Sequence, residues 1–471
     1  MRRFLDRRGD IIRFGNDGWH ARFDDGLNEA NVVRVADALA SLWAEARPGA
    51  TVYVGFDTRH LSREHAHVAA AVFSAHGLRA RVSQQPCPTP AVAWSCAHDP
   101  QGVGALVLTA SERSCEYGGL LVRGADGGPM DRDFLDQVEQ AVRQAPVEER
   151  GAYEECDLMA GYRAALLAGL DREAIARRAP KVVVDPMYGA AGGHLSSMLS
   201  GLGCRVVEIH VEPREDFAGI HPDPQDPWAD ACEQAVVAHG ADLGLLLDGD
   251  GDRAAVVDER GAILPPRALI PLVLGHLVSD HDAHGRVVST LTCSACVSRQ
   301  ARRLGLDQVV VPVGFSRIYR EVVEGGVLLG AEEYGGICVP AHLPERDGLL
   351  VCLLAVEMAC QQGRPLSQMV CDLEQRVGTM RYARRDVRLE PAHTQAFRNV
   401  LPGLNPHEVA GRVPVEVSHA DGLRLQFDDD SWVLMRPSRA GSVVRVYAEA
   451  GTERDRDDLL RAACDIVRAT P

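Results

Sequence analysis

The sequence lacks an apolar run long enough to span a bilayer. Its most hydrophobic stretches, residues 269–277 and 349–358, fall well short of the ~20 residues that a membrane helix needs. Nor does MRRFLDRRGDIIRF read as a secretory signal, because it is basic but leads into no long apolar run. A soluble, cytoplasmic protein with no membrane partner is expected. Positive charge is in the minority: 50 Lys and Arg face 66 Asp and Glu, a formal charge of −16. That balance argues against a protein that coats nucleic acid, although one basic cleft fits inside an acidic envelope. Nor is there a disulfide or zinc framework. The 13 cysteines are scattered, and the CxxC of Cys293 and Cys296 has neither a second pair nor adjacent histidines. Reduced thiols, mostly small core residues, are expected.

What is present is a globular chain of 471 residues, 46% hydrophobic and 25% charged. At about 100–200 residues per domain, that length suggests three or four domains. Glycine (45 residues) and proline (26) are frequent, so many tight loops are expected, either plain turns or phosphate cradles. TVYVGFDTR, GVGALVLTAS, KVVVDP, CRVVEIHV and ADLGLLLDGDGDR read as nearly continuous apolar strands feeding loops, the pattern of parallel strands covered on both faces. Helical spacing over 61–77 and 131–144 completes repeated α/β units. Alternation in VPVEVSHADGLRLQFDDDSWVLMRPS, then VVRVYAEA and a helix over 454–467, predicts a smaller C-terminal α+β domain. Changes of character place the domains at 1–150, 151–262, 263–378 and 379–471.

Two strand ends carry chemistry. In LLLDGDGDR an apolar strand delivers Asp248, Asp250 and Asp252 on a loop punctuated by Gly249 and Gly251. Three crowded carboxylates repel one another unless a cation or protons relieve the charge, and oxygen ligands suit a hard ion such as Mg²⁺ beside a phosphate. Calcium EF-hand spacing and its terminal glutamate are absent. Arg253 is placed to pair with a substrate phosphate or with an aspartate. In GVGALVLTASERSCEYGG the focal hydroxyl is Ser111, able to carry a transferable phosphoryl group where a metal and cations stabilise developing charge. Taken alone the TAS triplet also fits a capping serine. No G-x-S-x-G elbow surrounds Ser111, which disfavours classical serine hydrolysis.

Together these motifs resemble the α-D-phosphohexomutases, the superfamily of bacterial phosphoglucomutases and phosphomannomutases. The similarity is collinear across nearly the whole chain: FGNDGWH, VGFDTRHLS, PCPTPAVAW, TASERSCEYGGLL, VVVDPMYGAAGGHL, IHPDP, DGDGDR, VPVGFSRIY, GAEEYGG at 330–336, LPERDGLL and RPSRAGSVVRVYAEA. The resemblance implies a heart-shaped enzyme of four domains, three related α/β domains and a smaller C-terminal one, with its site in the central cleft. It implies a phosphoryl group moved between C1 and C6 oxygens of a hexose phosphate through phosphoserine and a bisphosphate that reorients. Ser111 would be that serine, with Asp248, Asp250 and Asp252 holding an Mg²⁺ that also touches the seryl phosphate, and Arg253 beside them. Glu332, Glu333 and Tyr334 fall in the sugar loop. Arg436, Ser438, Arg439 and Ser442 fall in the segment for the non-reacting phosphate. A sugar bisphosphate is the implied activator; a phosphosugar is the implied partner.

The loops also depart from the family pattern. His20 stands where an arginine is expected, a candidate proton shuttle or substrate contact. The family's loop lysine is Leu121, and Arg123, two residues on, holds its proton too tightly to replace it. Glu112 and Arg113 stand for a histidine and an asparagine, Tyr334 for a serine, and Arg439 and Ala440 for a glycine and a threonine. A phosphosugar mutase is the leading expectation. A repurposed phosphatase, bisphosphate-forming or biosynthetic enzyme on the same scaffold stays open, as does a noncatalytic phosphosugar binder. The sequence does not set the sugar or the oligomeric state.

Overall fold

The computed structural model describes residues 11–15, 18–438 and 442–469. The chain divides into two compact units. The first comprises residues 1–265, 314–330 and 334–369; the second comprises 266–313, 331–333 and 370–471.

The first unit holds a six-stranded and a four-stranded sheet. In the larger, Thr51–Phe56 lies between the parallel strands Arg79–Ser83 and Gly102–Leu108. The antiparallel strand Tyr117–Gly124 and then Trp19–Arg22 extend that sheet beyond Gly102–Leu108. The predicted helices form as Ser62–Ala75 and Arg132–Ala141, the latter capped by Asp131, whose carboxylate accepts from the Phe134 N–H. Thr51–Phe56 is buried at every position, as its unbroken apolar run requires of a strand covered on both faces. In the smaller sheet, Lys181–Asp185 pairs in parallel with Arg205–Glu208 and Leu243–Leu247. Leu243–Leu247 then turns back antiparallel into Ala254–Val257, so the acidic motif is the connection of a hairpin. Strands Val327–Ala331 and Ile337–Cys338 are neighbours in a further sheet, and helix Gly348–Gln362 follows them.

In the second unit, Arg286–Thr290 and Gln308–Val311 pair in parallel. The C-terminal region is a five-stranded antiparallel sheet. Arg381–Arg388 pairs with Val443–Ala450, which pairs with Trp432–Pro437, and Leu423–Gln426 and Glu416–Ser418 follow. One face of this sheet packs Val433, Met435, Val444, Val446 and Ala448 against Leu459, Leu460 and Ala463 of helix Glu453–Ala469. The architecture is therefore mixed α/β sheets followed by a sheet-rich C-terminal domain. Among the described residues, no helix is long and apolar enough to cross a membrane.

Candidate active site

Ser111 follows the end of strand Gly102–Leu108, and Asp248 follows the end of Leu243–Leu247. Folding of the first unit brings the two together: the Ser111 hydroxyl donates to Asp248 Oδ2 at 2.8 Å. Ser111 is a non-glycine residue at φ 50°, a left-handed conformation that persists only where neighbours over-determine it. Those neighbours are visible. The Ser111 N–H donates to Thr109 Oγ1 at 2.9 Å, and Thr109 Oγ1 donates to Asp57 Oδ2 at 2.6 Å. Arg59, fully buried and paired to Asp57 at 2.9 Å, donates to the carbonyls of Ser111 (2.5 Å), Arg113 (2.7 Å), Ser114 (2.8 Å) and Tyr117 (3.1 Å). One guanidinium thus ties down the whole serine loop. Its planar fork of five donors suits that task as a lysine ammonium does not.

Asp248, Asp250 and Asp252 are buried, with candidate ligand oxygens all within 4.8 Å of one another. Gly251 adopts φ 72°, which the tight turn demands. Gly249 is required for a different reason: a Cβ there would stand 2.6 Å from the Ser111 carbonyl oxygen, so a side chain would push the two loops apart. Thr89 Oγ1 donates to Asp250 Oδ2 at 2.5 Å, while Asp250 Oδ1 and both carboxylate oxygens of Asp252 are buried without a hydrogen bond. Arg346 Nη2 stands 2.7 Å from Asp252 Oδ2, a close ion pair lacking hydrogen-bond alignment. Burial, and then the charges of Asp252 and Asp250, push the Asp248 carboxyl well above its ordinary range; burial and Asp252 raise Asp250 to about 7. Orphaned oxygens and unrelieved negative charge at hard-ligand distances fit a divalent cation.

His20, Ser111, Glu112, Arg113, Leu121, Arg253 and Arg346 line one cavity of about 60 Å³. His20 lies on Trp19–Arg22, in register with Gly119. Arg253 Nη2 is 3.4 Å from Glu112 Oε2, and its Nε is 3.8 Å from Asp252 Oδ1. Burial opposes ionisation of Glu112, but Arg253, the loop's own N–H, Arg113 and His20 outweigh it and hold the carboxyl at about 2. Glu112 is therefore an anion across the neutral range and no proton donor. Arg123 is taken up elsewhere, in a buried pair with Glu345. Leu121 faces the cavity, and no lysine from another segment replaces the missing one, since Lys181 is the only lysine in the chain. It donates to the His239 carbonyl at 2.5 Å on the strand of the smaller sheet.

In the second unit, Glu333 Oε2 accepts from Thr292 Oγ1 at 2.5 Å and Thr290 Oγ1 at 3.3 Å; Glu332 precedes it, partly buried. Tyr334, also partly buried, belongs to the first unit. Arg436 donates through Nε to Asp421 Oδ2 at 2.7 Å, the same oxygen that accepts from the Val313 N–H. Arg445 stands opposite Arg436 in the ladder, its Nε buried without a hydrogen bond, so two guanidinium groups share one face. The Ser438 N–H donates to the Val443 carbonyl, and the Ser442 carbonyl accepts from the Leu389 N–H, fixing both ends of the segment. Arg398 donates to the Ser438 carbonyl. Arg439 lies outside the described residues. Cys293 and Cys296 donate to the carbonyls of Ala331 and Gly378, and burial raises the Cys293 thiol to about 12, the state of a packing residue.

Sequence reasoning does not single out Arg59, Thr89, Arg346 or Arg445. All four lie in family-like motifs without a pattern that attaches chemistry to them, and the place of Arg445 beside Arg436 emerges only from the strand register.

Family models described as phosphoglucomutase/phosphomannomutase alpha/beta/alpha domains I, II and III match residues 12–148, 160–261 and 266–377. The chain belongs to the phosphoglucomutase/phosphomannomutase family, a family of phosphohexomutase enzymes. It is 29% identical over 378 residues to a phosphoglucomutase/phosphomannomutase of Thermococcus kodakarensis, covering 79% of this chain and 80% of the relative. A phosphoglucosamine mutase of Halorhodospira halophila is 28% identical, with 93% of each chain covered. The solved structure of a candidate phosphomannomutase from Thermus thermophilus superposes with a TM-score of 0.87 at 29% identity, covering 97% of this chain and 99% of that one.

Proposed function

We propose that the protein is an Mg²⁺-dependent phosphosugar mutase that moves a phosphoryl group between two hydroxyls of a hexose phosphate through phosphorylated Ser111. One observation carries the reading: the Ser111 hydroxyl is hydrogen-bonded to a member of a buried, charge-frustrated aspartate triad. Similarity to relatives named for glucose, mannose and glucosamine phosphates supports the substrate class.

On this reading Asp248, Asp250, Asp252 and Ser111 hold the cation, which when bound neutralises charge on the phosphoryl oxygens. In the transfer, the bond from Ser111 Oγ to phosphorus breaks as a sugar oxygen bonds to phosphorus. His20 takes the proton of that hydroxyl and returns it to the freed Ser111 Oγ in the same cavity, imidazole being the side chain suited to proton exchange near neutrality. Arg253 holds the phosphoryl group from the side, with Glu112 fixing its guanidinium. Reversal from the other end of the reoriented bisphosphate restores phosphoserine, and a sugar bisphosphate primes the resting enzyme. Glu332, Glu333 and Tyr334 grip sugar hydroxyls, while Arg436, Ser438, Arg439 and Ser442, joined by Arg445, bind the non-reacting phosphate.

Phosphorus NMR of the protein with Mg²⁺, a hexose 1,6-bisphosphate and a panel of hexose and pentose monophosphates tests the proposal. Positional isomers are expected; their absence across the panel would sink it. Leu121 in the cavity favours a second reading, a phosphatase on the same scaffold, for which free phosphate without isomers is the signature. The cation site has its own check. Asp250→Asn should weaken Mg²⁺ binding by at least about 10-fold in calorimetric titration, because it removes one of three anionic ligands; unchanged affinity would assign the triad another role.

A further inference from the structure

Arg346 sits in the loop between strand Ile337–Cys338 and helix Gly348–Gln362, and only 2% of it is exposed. Its guanidinium is fixed by contacts on several sides. Nη2 stands 2.7 Å from Asp252 Oδ2, Nε lies 3.6 Å from Glu345 Oε1, and the group lies 5.0 Å from the centre of the Phe315 ring. Glu345 is itself anchored, accepting the Arg346 N–H at 2.8 Å and pairing through its other oxygen with buried Arg123. The next turn is bonded to the aspartate loop directly, since the Gly348 N–H donates to the Gly251 carbonyl at 3.1 Å. The same arginine lines the cavity that contains Ser111.

We propose that Arg346 is a positioning residue for the cation site: it holds one oxygen of Asp252 and so presents the other toward the ion. The inference rests on the divalent-cation reading above. With Arg253 paired to Glu112, three carboxylates and the Arg346 guanidinium leave two negative charges, which a divalent ion balances; carboxylate ligands held by an outer partner bind metal more tightly than free ones. A lysine would supply the charge but not the planar group that meets Asp252, Glu345 and Phe315 together.

The test uses the full chain and Mn²⁺ alone as probe, with free Mn²⁺ read by electron paramagnetic resonance in the absence of sugar. Arg346→Met is expected to weaken Mn²⁺ binding by about 10–100-fold, and Arg346→Lys to recover only part of the loss. Affinity unchanged or tightened in Arg346→Met would overturn the proposal. Melting curves taken alongside separate folding from binding. Should Arg346→Met not fold, Arg346→Lys carries the decision, with roughly 5-fold weakening expected and wild-type affinity overturning it. Failure of the wild-type chain to bind Mn²⁺ would instead overturn the cation reading, and with it this inference.

Discussion

Ser111→Ala is expected to abolish isomer formation, a fall of at least about 10⁴-fold, because among the described residues that line the cavity only Ser111 carries a hydroxyl to relay the phosphoryl group. The same variant should gain no mass of one phosphate when incubated with hexose bisphosphate, whereas the wild-type chain should. Ser111→Gly supplies the control for folding. Ser111 occupies φ 50°, where an L-residue costs about 1–2 kcal/mol and glycine costs little. The glycine variant should therefore melt no lower than the alanine variant while being equally inactive. Isomerase activity surviving in either would remove Ser111 from the mechanism. Activity lost only in step with folding would reduce it to a structural residue.

The second large effect is expected just behind the phosphoryl-bearing serine, at Arg59, which bonds the Ser111 carbonyl and not its hydroxyl. Its side chain is inaccessible to solvent, is ion-paired with an equally buried Asp57, and donates to four carbonyls of the serine loop. Arg59→Met would leave Asp57 buried beside one fewer cation and strand those carbonyls in a dry interior. Breaking a buried pair from one side costs about 3–5 kcal/mol. Urea unfolding should show that loss as a shifted midpoint at unchanged slope. Phosphorylation of Ser111 should also fall under conditions where the variant remains folded, since the left-handed conformation loses its clamp. A stability change below about 1 kcal/mol, the worth of one ordinary hydrogen bond, would show that the loop is held by other contacts.

Part of this site is legible in local pattern alone. Strand ends at Ser111 and Asp248, the turn chemistry of Gly251, and the alternating strands after residue 379 follow from composition and period over a few residues. The reasons for Thr89, Arg59 and Arg346 do not. Thr89 meets Asp250 across 161 positions of chain and Arg59 meets Ser111 across 52, so only the folded topology pairs them. Gly249 shows the same limit inside a motif whose chemistry is otherwise plain. In sequence it reads as a matter of turn flexibility, yet its φ is not among the positive ones, and what forbids a side chain is the carbonyl of a different loop. Glu112, a departure from the family pattern, becomes intelligible only beside Arg253.

Lys181, the one lysine among 471 residues, sits on a strand of the smaller sheet and points its ammonium at the His239 carbonyl. Every other side-chain cation of the Lys and Arg class is a guanidinium, which keeps its proton throughout the range in which proteins are handled. For chemical work on the protein this is a practical asymmetry. Amine-directed dyes, tethers and cross-linkers meet a single side-chain target, and it is not among the residues that line the Ser111 cavity. Acylating probes that inactivate lysine-dependent enzymes find no lysine in this cavity, whereas dicarbonyl reagents selective for arginine should reach the exposed Arg113 on its wall.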